Sequence, residues 1–156
     1  MTWCAHLKDF GAQPTCYRTS LSKRSAAAAR TGIIKDSNHS VGDTSDKLEA
    51  IIENAPPKLF ARIDHAAGAA SAGLDLADCT MMMFGAAQIG TPIMQQNIMA
   101  GLDFPLKVLI WDESGQTKIG YLDPAALKAR YSINGAEDAF ATMAGVLNKF
   151  TDEAAS

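Results

Sequence analysis

The sequence predicts an α+β domain, with a mainly antiparallel sheet covered on one face by helices. Two strand-like runs, Leu106–Trp111 and Thr117–Leu122, are joined only by Asp112, Glu113, Ser114 and Gly115, so they must run antiparallel. Two other segments carry apolar residues at helical spacing: Leu48, Ile51 and Ile52 in the first half, then Phe140, Met143, Leu147 and Phe150 near the end. The remaining strand-like runs are separated by longer crossovers, which a simple meander would not need.

In chain order, Gly32-Ile33-Ile34 reads as an edge-lying strand, followed by a helix that Asp43 or Thr44 can cap and Pro56-Pro57 stops. Lys58–Asp64 alternates Leu59, Ala61 and Ile63 against Phe60, Arg62 and Asp64, the period of a strand with one buried face. Ala66–Ala72 is a short helical stretch closed by Gly73. Ala77–Phe84 reads as a central strand because Met81, Met82, Met83 and Phe84 are apolar on both sides of the pleat. Thr91 is placed as an N-cap with Pro92 at the first helical position and Gly101 as the stop. Asp123-Pro124 repeats that signal for a helix to about Tyr131, and the last helix follows Asn134-Gly135. The first and last strands are the expected sheet edges.

The chain's 156 residues suit one domain, read as an N-terminal extension over 1–31, the α+β domain over 32–152 and a short tail over 153–156. The apolar content includes 27 alanines, yet Ile, Leu, Val and Phe still supply 32 residues, enough for a core. A domain of this size needs no disulfide or structural metal, so any metal would be functional. The greasiest run, Thr80–Phe84, is far too short to span a bilayer, and the net charge of −3 with no basic face argues against nucleic acid. No membrane and no nucleic-acid partner is therefore expected. Cys4, Cys16 and Cys79 cannot all pair within one chain, which favours a reducing, cytoplasmic setting. Between Asp9 and Asp36 there is no acid, while Arg18, Lys23, Arg24, Arg30 and Lys35 are basic. That composition fits a disordered arm, an upstream start codon, or a targeting segment that is later removed.

Several motifs in register also resemble a known family. His39-Ser40-Val41, Phe60 to Ala67, Phe84-Gly85, Gly90-Thr91-Pro92, Gly101 to Lys107 and Tyr121-Leu122-Asp123-Pro124 resemble the bacterial and archaeal domain of unknown function 302, over about Gly32 to Thr151. The resemblance implies a compact α+β fold similar to the TATA-binding-protein-like arrangement and a dimer, and it brings no established activity. One departure stands out: Ala86-Ala87 occupies a place where the family usually has Asn-Pro, which removes a polar role for that loop.

The candidate chemistry is a short list. Asp64-His65 at a strand end offers an imidazole of pKa about 6.5 with a carboxylate beside it, suited to acid–base work. The plainer reading is that Asp64 caps the helix that follows. Lys107 stands in the apolar strand Leu106–Trp111 and by alternation shares a face with Leu109 and Trp111. It is read either as a snorkelling or cross-strand-paired lysine or as an anion anchor facing a pocket shared with His65 and Tyr121. Thr91 at a helix start offers free backbone N–H groups to an anion. Cys79, Met81, Met83, Met94 and Met99 are soft-metal ligand types in no recognised spacing, and core filling explains them better. Cys4-x-His6 with Cys16 lacks a second set of zinc ligands. No nucleophile elbow, HExxH, CxxC or phosphate-binding glycine loop is found, so no cofactor and no metal is expected.

These readings converge on a homodimeric domain that binds a small organic or anionic ligand through Thr91, Lys107 and Tyr121 near His65. The alternatives are an enzyme using His65 as general acid or base, with Asp64 orienting it and Lys107 stabilising negative charge, and an interaction module with no small-molecule site.

Overall fold

The computed structural model describes residues 31–156. Five strands, β1 (Gly32–Asp36), β2 (Lys58–Asp64), β3 (Cys79–Gly85), β4 (Leu106–Glu113) and β5 (Gln116–Leu122), form one sheet in the order β1-β5-β4-β3-β2, with every neighbouring pair antiparallel. Five helices, α1 (Val41–Glu53), α2 (His65–Ser71), α3 (Ala87–Gln96), α4 (Pro124–Arg130) and α5 (Glu137–Ala155), complete it, with a 3-10 helix over Ile98–Asp103. The α+β class predicted from the sequence is the observed one. The basic arm and the Cys4, His6 and Cys16 set lie outside the described residues.

The core forms where α1 and α5 lie against one face of the sheet. Leu48 and Ile52 of α1 and Met143, Leu147 and Phe150 of α5 meet Met82 and Phe84 of β3, Val108 and Ile110 of β4, and Ile119 of β5, all buried. The Phe84 and Phe150 rings sit 5.9 Å apart between centroids, tilted by 32°, a favourable aromatic pair. Buried polar groups are matched here: the Ser37 and Thr44 hydroxyls share a hydrogen bond of 2.7 Å, and the Thr151 hydroxyl donates to the Leu147 carbonyl oxygen at 2.8 Å.

Four local expectations are corrected. Helix α1 begins earlier than expected because Ser40 is its N-cap, its hydroxyl accepting from the Asp43 N–H at 3.1 Å, while Thr44 is buried. Helix α3 begins at Ala87 with no side-chain cap, so Pro92 lies inside the helix and Thr91 is an exposed mid-helix residue. Asn97 ends α3 and caps the 3-10 helix, its side chain accepting from the Met99 N–H. The sheet edges are β1 and β2, because α1 carries the chain across the sheet and β5 comes back to pair with β1.

In β2 the ladder slips between Leu59 and Ala61, a bulge that defeats simple alternation. Leu59 pairs with the buried Phe84, whereas Ala61 and Ile63 pair with Met83 and Met81 on the opposite face. Arg62 lies on the α1 side, where its guanidinium donates to Asp46 at 2.6 Å and Glu49 at 2.8 Å. At the C-terminal end α5 continues through Ala155, with Ala154 and Ala155 buried, and the Asn38 N–H donates to the Ala155 carbonyl oxygen. Residues 153–155 are thus part of the last helix.

Candidate functional site

The helices leave the second face of the sheet bare, and β-strand alternation says which residues stand on it. Cys79, Met81 and Met83 of β3 pair with Trp111, Leu109 and Lys107 of β4. Leu109 pairs in turn with Gly120 of β5, Gly120 with Ile34 of β1, and Met81 with Ile63 of β2. One row, Ile34, Gly120, Leu109, Met81 and Ile63, therefore crosses all five strands without a polar side chain. Ile34 is 61% exposed, Phe60 57% and Ile63 38%, which is high for such side chains on a continuous surface. Helix α2 joins β2 to β3 and has no buried residue.

Trp111 lies across Gly120: a Cβ added at Gly120 would stand 3.1 Å from the indole. The indole takes the space a side chain there would fill. Met81 and Met83 do share a face, as alternation requires, but it is this open one, while Met82 fills the core. Burial pushes the Cys79 thiol above its ordinary pKa, and the nearby Asp64 carboxylate adds to that shift, which keeps the thiol protonated and unreactive at neutral pH. Among the described residues no group of three or more His, Cys, Asp or Glu is placed to hold a metal ion.

The charges on the face are asymmetric. At one end stand Lys107, which makes no ion pair among the described residues, and Lys58, whose ammonium lies 6.0 Å from the centre of the Phe60 ring. At the other end Lys118 is hydrogen-bonded to Asp36, a contact that raises its pKa, and lies 3.9 Å from Glu113, itself 62% exposed.

The residues singled out from the sequence fall in different places. Asp64 caps α2, its Oδ1 accepting from the Ala67 N–H at 2.8 Å, with His65 as the first helical residue. That contact is the plain helix cap, and it explains the Asp-His pair without chemistry. Lys107 is two strands from Asp64 and three ladder steps along, about 14 Å at a strand spacing near 4.8 Å and a rise near 3.3 Å per residue. Tyr121 pairs with Val108 and lies on the helix-covered face, its phenol pKa pushed up by burial, with the Lys35 ammonium 5.8 Å from its ring centre. Tyr121 and Lys107 are thus on opposite sides of the sheet and share no pocket. Thr91 is not at the start of its helix, so it has no free N–H groups to offer. A concavity of about 390 Å³ opens between the C-terminal parts of α1 and α5, lined by Ile51, Asn54, Phe150 and Glu153 among others, and includes none of these candidates.

The cap assignment gives a direct test. Replacing Asp64 with Ala should lower stability by about 1 kcal/mol while Asp64→Ser keeps most of it, and His65→Ala should leave it nearly unchanged, read by urea denaturation. Equal losses for all three substitutions would contradict the cap.

With helices covering one face of the sheet, sequence reasoning left the other face in need of a cover, but it did not join the residues of that face across the five strands. Trp111, Leu109, Ile34 and Phe60 passed as ordinary strand residues; the available signal was Lys107 in their midst, since a core-facing strand position rarely holds an ammonium.

Fold and face define the class: an antiparallel five-stranded α+β domain, helix-backed on one side and bare on the other. The chain belongs to the DUF302 family, described as domain of unknown function DUF302, whose model matches residues 33–150. The crystal structure of an uncharacterized conserved DUF302 protein from Bacillus stearothermophilus shares the fold, with a TM-score of 0.73 at 19% identity, covering 81% of this chain and 99% of that one. Over 120 residues, 74% of this chain, the sequence is 36% identical to fluoride-specific ion channel FluC 1 of Brucella suis and to its counterpart in Brucella abortus. The chain spans just under half the length of these relatives, 47% and 44% respectively. Among the described residues no helix is long and apolar enough to cross a membrane.

Proposed function

We propose that this chain is an assembly module that associates with a second copy of itself through the open face of the sheet. The observation that carries the reading is the apolar row from Ile34 to Ile63, which crosses every strand and has no cover among the described residues. Five strands about 4.8 Å apart and three outward rows of side chains make a footprint of about 24 by 20 Å. That is roughly 500 Å² before side-chain relief is counted, on the scale of the about 800 Å² of accessible surface that each partner gives to a standard interface. Two such sheets packed face to face would bury a second core about 10 Å thick.

The interaction reading is preferred to ligand binding or catalysis because His65, Thr91, Lys107 and Tyr121 do not converge, and the Asp64 carboxylate already serves as a cap. It also agrees with the relatives. The Brucella proteins, each named as a fluoride-specific ion channel, carry the similar segment within less than half of their length, and a module for assembly is one use for such a segment. Sedimentation equilibrium of the full chain tests the proposal: a dimer is expected at micromolar concentration, and a monomer there would overturn it.

A further inference from the structure

We propose that Lys107 and Glu113 are the specificity pair of that association, each lysine meeting Glu113 of the partner subunit across a two-fold axis that crosses β4 near its middle. The inference rests on self-association through the open face, and it fixes how the two copies are oriented.

Strand β4 is the central strand of five, so a dimer that overlaps the whole face has its axis at or near β4. With the strands of the two sheets aligned, two directions in the plane of the interface are then available. An axis running along β4 places each residue of the strand over its own copy, so Lys107 would face Lys107. That brings two ammonium groups together on an apolar face, where neither has a carboxylate to relieve the repulsion. An axis running across β4 reverses the strand over its copy. Lys107 and Glu113 lie three residues either side of Ile110, so this rotation exchanges their positions and sets ammonium against carboxylate. The same rotation lays Leu109 of one copy over Trp111 of the other. The outward pattern of β4, Lys107, Leu109, Trp111 and Glu113, is thus self-complementary in both charge and apolarity when read against its own reverse.

The two groups are also available. Lys107 makes no ion pair among the described residues, and Glu113 has only the distant contact of 3.9 Å to Lys118, whose ammonium is committed to Asp36. Opposite charge left unmatched at the two ends of one strand is what an antiparallel stack of two copies can satisfy. Pairing of this kind acts on orientation and partner choice more than on raw affinity, because the apolar row supplies the burial.

A charge-reversal cycle on the full chain tests the pair. Lys107→Glu and Glu113→Lys should each weaken the dimer by about tenfold or more, and the double variant K107E/E113K should return to within about threefold of the parent dissociation constant. Single variants that leave the dimer unchanged, or a double variant no tighter than either single, would overturn the pairing. Circular dichroism establishes that each variant is folded. Should one fail to fold, the unaltered protein decides: raising NaCl from 50 to 500 mM should weaken its dimer by about threefold, and an indifferent dissociation constant would overturn the inference. A parent chain that is monomeric at low salt would instead remove the self-association reading beneath it.

Discussion

On the association proposed through the open face, replacing Leu109 with Asp is expected to abolish self-association and leave a folded monomer of 16.5 kDa with its circular dichroism spectrum intact. Leu109 stands at the centre of the bare face, flanked by Met81 on one side and Gly120 on the other. In the isolated chain Leu109 is only partly buried, so an aspartate there keeps access to water. Between two sheets the same carboxylate would lose its hydration with no donor to replace it, a penalty of several kcal/mol that few interfaces of this size survive. Sedimentation equilibrium reads the outcome, and an L109D variant as dimeric as its parent would place the contact elsewhere on the molecule.

Replacing Phe84 with Ala should act on folding instead, lowering stability by about 3–5 kcal/mol. The side chain is wholly buried, and its ring bridges β3 to Phe150 on α5, so its removal leaves a cavity that the sheet and helix cannot both relax to fill. For a domain whose total stability is of order 5–15 kcal/mol, that is about a fifth or more of the reserve. The neighbouring Met83→Ala change is the control. Met83 stands on the open side, so in the monomer its loss should cost less than about 1 kcal/mol. Urea denaturation at a concentration where the protein is monomeric compares the two. Equal losses would mean that the open side is packed as the core is.

Much of this architecture was legible along the chain. The β4–β5 hairpin followed from a connection too short for a crossover, α1 and α5 from their apolar stripes, and Asp123-Pro124 marked the start of α4. That Lys107 shares a face with Leu109 and Trp111 followed from alternation alone, and the register of β3 with β4 agrees. Asp64 was legible as a cap, because its carboxylate needs only the N–H three residues on, a local geometry that any asparagine or aspartate before a helix can meet.

What failed did so for identifiable reasons. The face assigned to Ala61 and Ile63 was inverted by one extra residue in β2, and a bulge leaves no mark on a hydrophobic pattern of period two. Thr91-Pro92 has the form of a helix start, yet the helix begins five residues earlier, where packing of Ile89 and Gly90 against the domain outweighs the absence of a capping side chain at Ala86. The supposed meeting of Lys107 with Tyr121 fell to register. Tyr121 lies beside Val108, and that one-residue offset puts the phenol under α5 and the ammonium on the other side of the sheet.

By itself the sequence determined the α+β class, the positions of most elements, and which residues share a face in the strands without a bulge, because all of these follow from periods of 2 and 3.6 and from caps within a few residues. Only the tertiary structure decided that β1 lies beside β5, which strands form the sheet edges, and which residues of the five strands meet on the uncovered side. Those choices depend on pairing between segments far apart in the chain, where the burial gained by the whole domain, and not any local preference, selects the arrangement.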